Sequence, residues 1–351
     1  MKQFLTLVLA FFLSHYLEAQ VTGGTNVYDF LNFSASARIT GLGGNLITVR
    51  DDDVNLALAN PASLNPSMHQ QLGFNHVFYP AGINTGYAAY GHFVKKLDMT
   101  LHGGIQYLTY GTFDATDEVG NVTGEFKASE YAIALGAGRQ LYERVTVGAN
   151  LKFITSRFES YNSIGLAGDL AAMFHDTASR INVTLVFRNI GTQLSKYRDG
   201  KTEPLPFEMQ VGVSKRLVHL PFRFSIVYRY LDKWNISYDD PNSQEDTFIF
   251  GDAQQSSSGN SFVDNLARHF IFSGEFLFGK KDNFRVRIGY NHLQRKEMSV
   301  KNLRSLAGFS FGAGLKINRF RVEYGRSFVH LGAGLNHFSI STNIQEFSKK
   351  R

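Results

Sequence analysis

The chain has 351 residues, with 36 Lys and Arg against 30 Asp and Glu, and it contains no cysteine. The absence of cysteine excludes thiol catalysis, cysteine-type zinc sites, iron–sulfur clusters and disulfide staples. The net charge of +6 does not indicate a nucleic-acid partner, because the basic residues are dispersed along the chain rather than gathered into one block.

The first residues predict an export signal. Lys2 supplies a positive charge, an apolar stretch runs from Phe4 to Leu13, and Ala19 ends a small-residue cleavage site. The apolar stretch is too short to span a bilayer as a helix. A buried N-terminal helix is the alternative. We predict a signal peptide over residues 1–19, removed from a mature chain that leaves the cytoplasm.

The rest of the chain alternates between apolar and polar residues. Val145, Val147, Ala149, Leu151 and Phe153 point one way, and the residues between them point the other way, as in a strand with one apolar face. From residue 71 onward this pattern predicts about fourteen strands, most of them near the ten residues that a tilted membrane strand requires. Their predicted ranges are 71–79, 84–94, 98–110, 125–139, 145–156, 163–174, 180–190, 206–217, 221–231, 267–279, 283–292, 307–318, 319–326 and 335–343.

The connections between these strands differ on the two sides of the predicted sheet. Every second connection is short, and the long ones, 111–124, 191–205, 232–266 and 292–306, fall on the other side. This asymmetry is typical of outer-membrane barrels. We therefore predict that the strands within residues 68–351 close into a barrel and expose their apolar faces to lipid. The first strand fits least well, because His76 shares the apolar face with Leu72, Phe74 and Phe78.

The inward faces are charged. Alternation predicts a set of lumen residues: Lys152, Arg180, Arg188, Arg223, Arg229, Arg285, Arg287 and Arg321, with Asp169, Glu208, Glu275 and Glu323. One interpretation is a network of ion pairs that fills and stiffens the barrel. The other is a basic lumen that binds an anionic ligand. Alternation alone does not separate them.

Residues 20–67 do not read as a membrane strand. Asp51, Asp52 and Asp53 precede a short apolar stretch that Pro61 and Pro66 end, which predicts an Asp-capped short helix. A calcium site is a weaker reading, because three adjacent acids lack the spacing of a calcium loop. We predict that this segment is a hatch in the barrel mouth, with its acids near the lumen arginines.

No catalytic residue, cofactor site or metal site stands out, so we predict that the protein is not an enzyme. The glycine-rich stretch ITGLGGN lacks the Gly-Lys-Ser/Thr of a phosphate loop, and Ser310 lies within a strand rather than at a nucleophile elbow. The most distinctive loop, 232–266, carries aromatic residues in a polar, serine-rich stretch: Trp234, Phe248, Phe250 and Phe262. They predict either a protein-binding surface or a plug or interface girdle.

Several stretches also resemble a known family. SARITGLGGN, NLALANPASLNP, LVFRNIGTQL, ARHFIFSGEF, VRIGYNH, SLAGFSFGAGLKI and RFRVEYGRS together resemble the PorQ family of type IX secretion systems, from about Ser36 to the last strand. The resemblance implies a FadL-like fourteen-strand barrel in the outer membrane.

It further implies a scaffold that holds a PorZ-like surface protein in a complex with PorV and the sortase PorU, where secreted cargo is attached to lipopolysaccharide. It implies no catalytic residues and no cofactor. A FadL-like transporter of hydrophobic small molecules and a gated porin are the alternatives.

Overall fold

The computed structural model describes residues 26–79, 82–198, 200, 202–236, 258–279, 281–298, 305–329 and 334–348. The predicted signal peptide and the aromatic residues Phe248 and Phe250 lie outside these described residues. None of the helices within the described ranges is long and apolar enough to cross a membrane.

Fourteen antiparallel strands form a closed barrel, as the alternation predicted. The strands are β1 (Gln71–Phe78), β2 (Asn84–Val94), β3 (Met99–Thr116), β4 (Val122–Tyr142), β5 (Val145–Phe158), β6 (Tyr161–Asp176), β7 (Ile181–Ser195), β8 (Glu208–Arg216), β9 (Phe222–Tyr228), β10 (Phe270–Phe278), β11 (Phe284–Asn291), β12 (Phe309–Ile317), β13 (Phe320–Phe328) and β14 (Gly334–Asn343). Each strand pairs with its sequence neighbours, and β1 closes on β14 from Gln71↔Asn343 to Phe78↔Asn336. Closure satisfies every strand edge, which a sheet in lipid requires.

Burial follows the two-residue period. In β5, Leu151 and Phe153 are 54% and 45% exposed on the outer face, whereas Thr146 and Lys152 are buried inside. His76 does lie on the outer face of β1 with Leu72 and Phe74, and its Nδ1 is 2.8 Å from the hydroxyl of Tyr107. The register of β1 is therefore as predicted, and the tyrosine satisfies the histidine.

The connections group into two rims. The short-turn rim contains 95–98, 143–144, 177–180, 217–221, 279–283 and 318–319, and the long-loop rim contains the other seven connections. Two of the predicted loops are shorter in the structure. The 111–124 loop is shortened because β3 continues to Thr116 and β4 already begins at Val122, and the 191–205 loop is shortened because β7 continues to Ser195. Phe113 pairs with Phe126 across the extended hairpin, with ring centroids 5.3 Å apart. Aromatic pairing of this kind stabilises strands beyond the lipid-facing part.

Residues 26–70 form a hatch inside the barrel, with two short helices, α1 (Ala37–Gly41) and α2 (Leu56–Ala59), and 3₁₀ turns at Asp29–Asn32, Pro61–Ser63 and Pro66–Met68. Ser36 caps α1 by accepting from the backbone N–H of Ile39. The predicted Asp cap of α2 is wrong: α2 begins after Asn55, and Asp53 instead accepts from the backbone N–H of Asn55 in a local turn.

The hatch packs most closely against the last strands. The backbone N–H of Ala37 donates to the hydroxyl of Ser339 in β14 at 2.8 Å. Gly325 in β13 permits this approach, since a Cβ there would lie 2.1 Å from the carbonyl oxygen of Ala37. Gly312 in β12 is similarly close to Gly41. Glycine is required where two backbones approach this closely.

Outside the barrel, α3 (Ser258–Arg268) and α4 (His292–Glu297) lie on the long-loop rim, and α5 (Gln345–Ser348) follows β14. Asp264 on α3 joins the two rim helices, because it accepts from Arg268 at 3.0 Å and lies 2.7 Å from Nζ of Lys296. Together these ion pairs bring α3 and α4 into contact above β10 and β11.

Candidate functional site

The hatch divides the lumen into two zones of different chemistry. Toward the short-turn rim, its acids and Arg38 meet charged wall residues, and this zone is named the ion cluster. Toward the long-loop rim, residues 27–33 meet apolar wall residues, and this zone is named the apolar chamber.

Arg38 is the centre of the ion cluster. Its side chain has no exposed surface, and it donates to Asp51 at 2.7 and 3.0 Å, to Asp53 at 3.3 Å and to Glu275 at 3.2 Å. Burial alone would lower the pKa of Arg38, but Asp51 and Glu275 raise it well above the ordinary value, so the guanidinium stays charged. Burial tends to raise the pKa of Asp51, and Arg38 reverses this and lowers it, so that Asp51 stays a carboxylate.

The barrel wall completes the ion cluster. Glu275 on β10 also accepts from Arg223 at 2.8 Å and Arg287 at 2.9 Å, and Arg287 reaches Glu323 at 2.6 Å. Arg321 on β13 binds both carboxylate oxygens of Asp52 at 3.1 Å. The three hatch acids thus lie among lumen arginines. Bidentate and shared charge-assisted hydrogen bonds of this kind fix orientation strongly.

Two further predicted lumen residues, Lys152 and Asp169, lie together with Asn189 at a bulge in β7. Lys152 donates to Asp169 at 2.8 Å and to the side chain of Asn189 at 2.9 Å. Asn189 has a φ of 56°, and the register shifts where β6 and β7 meet there. Asp169 also accepts from the backbone N–H of Asn189 at 2.9 Å, and this hydrogen bond satisfies the backbone at the bulge.

The other predicted charges are separated from these groups. Glu208 accepts from Arg229 at 2.6 and 2.7 Å, and Arg188 donates to the carbonyl of Leu31 in the hatch at 3.1 Å. Arg285 is buried next to the ion cluster, and its Nε donates to the carbonyl of Asp282. The predicted inward position of Arg180 is wrong, because Arg180 lies exposed in the turn before β7 with a φ of 56°.

The apolar chamber unites the start of the hatch with the wall. Its buried members are Val27, Tyr28, Phe30, Leu31, Leu108, Ala132, Ile154, Ala167 and Leu205, and Phe33, Ile83, Tyr110 and Tyr197 pack over them while partly exposed. The chamber therefore begins at the long-loop rim and ends at the hatch. Burial of this apolar surface holds residues 27–33 in place.

A polar strip crosses the wall of the apolar chamber. Glu130 on β4 accepts from the hydroxyl of Tyr110 at 2.7 Å and from Ser156 at 3.0 Å, and Tyr197 donates to Ser156. The hydroxyl of Tyr28 bonds Ser163 on β6. Alternation placed Glu130 on a strand but gave no signal for this strip, because its residues come from four strands, the β7–β8 connection and the hatch.

The predicted partner-binding aromatics are described in part. Trp234 and Phe262 lie on the long-loop rim with ring centroids 5.1 Å apart, and they are 49% and 57% exposed. Trp234 also stacks on His269, which in turn stacks on Tyr228 at the end of β9. The pair is thus fixed to the rim on one side and open to solvent on the other.

The ranges that the structure describes contain no candidate metal site. No group of three or more His, Asp or Glu is placed there to hold a metal ion. Asp51, Asp52 and Asp53 are instead bound to arginines.

No protein-family model matches the chain, and no curated protein matches it. Solved structures match its fold. The CymD monoaromatic hydrocarbon channel is 14% identical, with 88% of this chain and 96% of that chain covered and a TM-score of 0.50. The Pseudomonas putida toluene transporter TodX is 11% identical, with 90% and 98% covered and a TM-score of 0.48. A Pseudomonas aeruginosa FadL homologue is 8% identical, with 89% and 98% covered and a TM-score of 0.44.

The fold defines the class of protein. The chain is a closed fourteen-strand antiparallel β-barrel with an apolar outer face, and its fold is similar to that of the CymD channel. Identities this low carry the fold alone, and membership of the PorQ family stays a prediction because no family model matches.

Proposed function

We propose that the protein is a hatch-gated outer-membrane channel that takes up a small hydrophobic molecule from the long-loop side. The apolar chamber carries this proposal, because it is an apolar site in the lumen that reaches the rim through Phe33, Ile83, Tyr110 and Tyr197. A mostly apolar lining with a few placed polar groups is usual for a small-molecule site. The fold shared with a protein described as a monoaromatic hydrocarbon channel agrees with this.

The hatch would act as the gate. Phe30 and Leu31 fill the chamber floor and are 2% and 1% exposed, so an apolar guest must displace them or bind above them. Displacement exchanges one apolar contact for another, and its free-energy cost is therefore modest. Onward passage additionally requires that the ion cluster release Arg38, whose five hydrogen bonds oppose movement of α1.

Binding of a fluorescent apolar probe tests the proposal. We expect 1-N-phenylnaphthylamine to bind the purified chain saturably. Ala132→Phe, which fills the chamber from β4, should weaken binding at least about tenfold, because the guest loses its space. Ala149→Phe on the outer face of β5 is the matched control and should bind like the parent chain. Equal binding by the two variants would contradict the chamber as the site.

A scaffold in a type IX secretion complex is the second candidate, and the exposed Trp234–Phe262 pair favours it. Aromatic side chains that are anchored on one side and open on the other are typical anchors for a protein partner. Together with the sequence resemblance, the pair supports a PorZ-like surface protein as the occupant, with PorV and the sortase PorU in the same complex. In this hypothesis the barrel is the membrane anchor of the complex, and its soluble partners carry out the chemical reactions.

Co-purification from native outer membranes tests the scaffold. We expect a stoichiometric surface protein with the parent chain and its loss with Trp234→Ala/Phe262→Ala. Phe113→Ala/Phe126→Ala removes another stacked pair from the extended β3–β4 hairpin and serves as the matched control. Probe binding without a partner supports the channel, and a partner without probe binding supports the scaffold.

A further inference from the structure

A cavity of about 550 Å³ opens at the short-turn rim, below the ion cluster. Hatch residues 50–52 form one side of it, and the turns after β6, β8 and β10 form the other. Seven cationic side chains and four carboxylates line it, which gives a net charge of +3 with histidine neutral. Neither the apolar chamber nor the rim aromatics belong to this cavity.

Some of these cations already have partners. Arg216 holds Asp282 through two hydrogen bonds of 2.7 and 2.8 Å, and Arg321 holds Asp52 through two of 3.1 Å. These pairs are bidentate, so both carboxylates are committed to them. They form the sides of the cavity and leave its remaining guanidinium groups to be explained.

Arg285 is the exception. It is 5% exposed and lines the cavity, yet its Nη1 is buried without a hydrogen-bond partner among the described residues. Its Nε donates to the carbonyl oxygen of Asp282 at 3.2 Å. Arg38 and Arg321 act on it as like charges, which Asp51 and Glu275 offset in part.

Two neighbouring arginines each carry one donor of the same kind. Arg223 donates from Nη2 to Glu275 and Arg50 from Nη2 to Gln140, but the Nε group of each is buried without a partner among the described residues, and both side chains line the same cavity. Burial lowers the pKa of Arg50, which belongs to the hatch. A buried donor without an acceptor has lost its water hydrogen bonds and gained nothing in exchange. Three such donors belong to side chains that line one cavity, and an anionic acceptor in that cavity would offset their burial.

We propose that this cavity binds a phosphate group, with Arg285, Arg223 and Arg50 as its ligands. A phosphate presents three acceptor oxygens and a charge near −2, which suits a cavity lined by several guanidinium groups. Two sources have this chemistry: the headgroup of an acidic phospholipid at the membrane surface, and a free phosphorylated compound in the adjoining compartment.

Calorimetric titration with sodium pyrophosphate, on the full mature chain in nanodiscs of zwitterionic lipid, tests the site. We expect saturable binding that Arg285→Gln weakens at least about tenfold, because one charge-assisted contact is lost. Arg157→Gln, the same change at the opposite rim, should bind like the parent chain. No saturable heat, or equal binding by both variants, overturns the proposal, and so does tighter binding of citrate than of pyrophosphate.

Two further measurements separate a binding role from a structural one and identify the source. Without phosphate, Arg285→Gln should keep or raise the urea midpoint of unfolding, since it removes an unsatisfied cation near Arg38; a large fall in that midpoint would assign Arg285 a structural role and overturn the proposal. Phosphatidic acid in the nanodisc should compete with pyrophosphate if the lipid headgroup is the natural occupant. Undiminished pyrophosphate binding in that membrane supports a free phosphate compound instead.

Discussion

The two ends of the hatch are held by opposite physics. At the ion cluster, Arg38 is fixed by directional hydrogen bonds to Asp51, Asp53 and Glu275. At the apolar chamber, Phe30 and Leu31 are fixed by non-directional burial. A directional lock holds one geometry or fails, whereas an apolar contact tolerates another apolar group in its place. The difference indicates that a hydrophobic guest would loosen the long-loop end first and leave the ion cluster closed.

Deleting the hatch, and with it both the Arg38 side of the ion cluster and the floor of the apolar chamber, should have the largest effect. Deletion of residues 26–67 is expected to convert a chain that conducts little into an open pore, since the lumen of a fourteen-strand barrel is filled here by the hatch. Planar-bilayer conductance measures this, with the folded barrel verified by its resistance to protease. Unchanged conductance would show that the hatch does not obstruct the lumen.

Arg38→Ala addresses the ion cluster alone. It leaves Asp51, Asp53 and Glu275 buried near one another without their shared cation, and we expect a loss of about 4 kcal/mol in hatch stability. Limited proteolysis of the hatch should then proceed readily at residues 37–53. Arg319→Ala, a cation outside the lumen that stacks on Phe347, is the control and should leave the hatch protected.

Leu31→Ala addresses the apolar chamber alone. Loss of a fully buried leucine is expected to cost about 3 kcal/mol through lost burial and a cavity. Because the ion cluster is intact, protease should reach residues 26–33 but not residues 37–53. Cleavage of both segments at the same rate would mean that the two ends open as one unit, which contradicts the comparison.

Asp264→Asn changes neither the ion cluster nor the apolar chamber, and we expect the smallest effect from it. Burial tends to raise the pKa of Asp264, but hydrogen bonds from Lys296 and Arg268 lower it to about 2. The folded pKa is below the unfolded one, so this contribution is complete above about pH 4 and is lost as the pH falls through about 2. The ion pairs are partly exposed, and we expect less than about 1 kcal/mol. Urea unfolding at pH 7 and pH 2 should differ less in the variant than in the parent chain.

The strands were predictable from the sequence because lipid imposes a period of two on every one of them. β2 begins and ends at the predicted residues, Asn84 and Val94. The 111–124 loop was predicted too long, because Phe113 still pairs with Phe126 and Ala115 with Gly124 in the continuing hairpin. Outside the lipid-facing part, alternation no longer separates a strand from a loop.

The partners of the charges were not predictable. Arg38 and Glu275 are 237 positions apart, and only closure of the barrel around the hatch brings them together. The sequence placed acids near lumen arginines, but it gave no sign that an arginine of the hatch itself would be the centre. Similarly, Tyr110 and Tyr197 meet Glu130 and Ser156, and Tyr28 meets Ser163, through long-range packing that periodicity does not encode.

The contact between Ala37 and Ser339 bears on how the molecule assembles. The hatch precedes every strand in the chain, and its docking surface on β13 and β14 follows the other twelve strands. Of these two strands, β14 also forms the join with β1. A finished cylinder would have to admit a packed segment of more than forty residues through its mouth, whereas a sheet that curls around the waiting segment need only shut. The hatch is therefore expected to act as the core around which the strands close, with β13 and β14 closing the barrel.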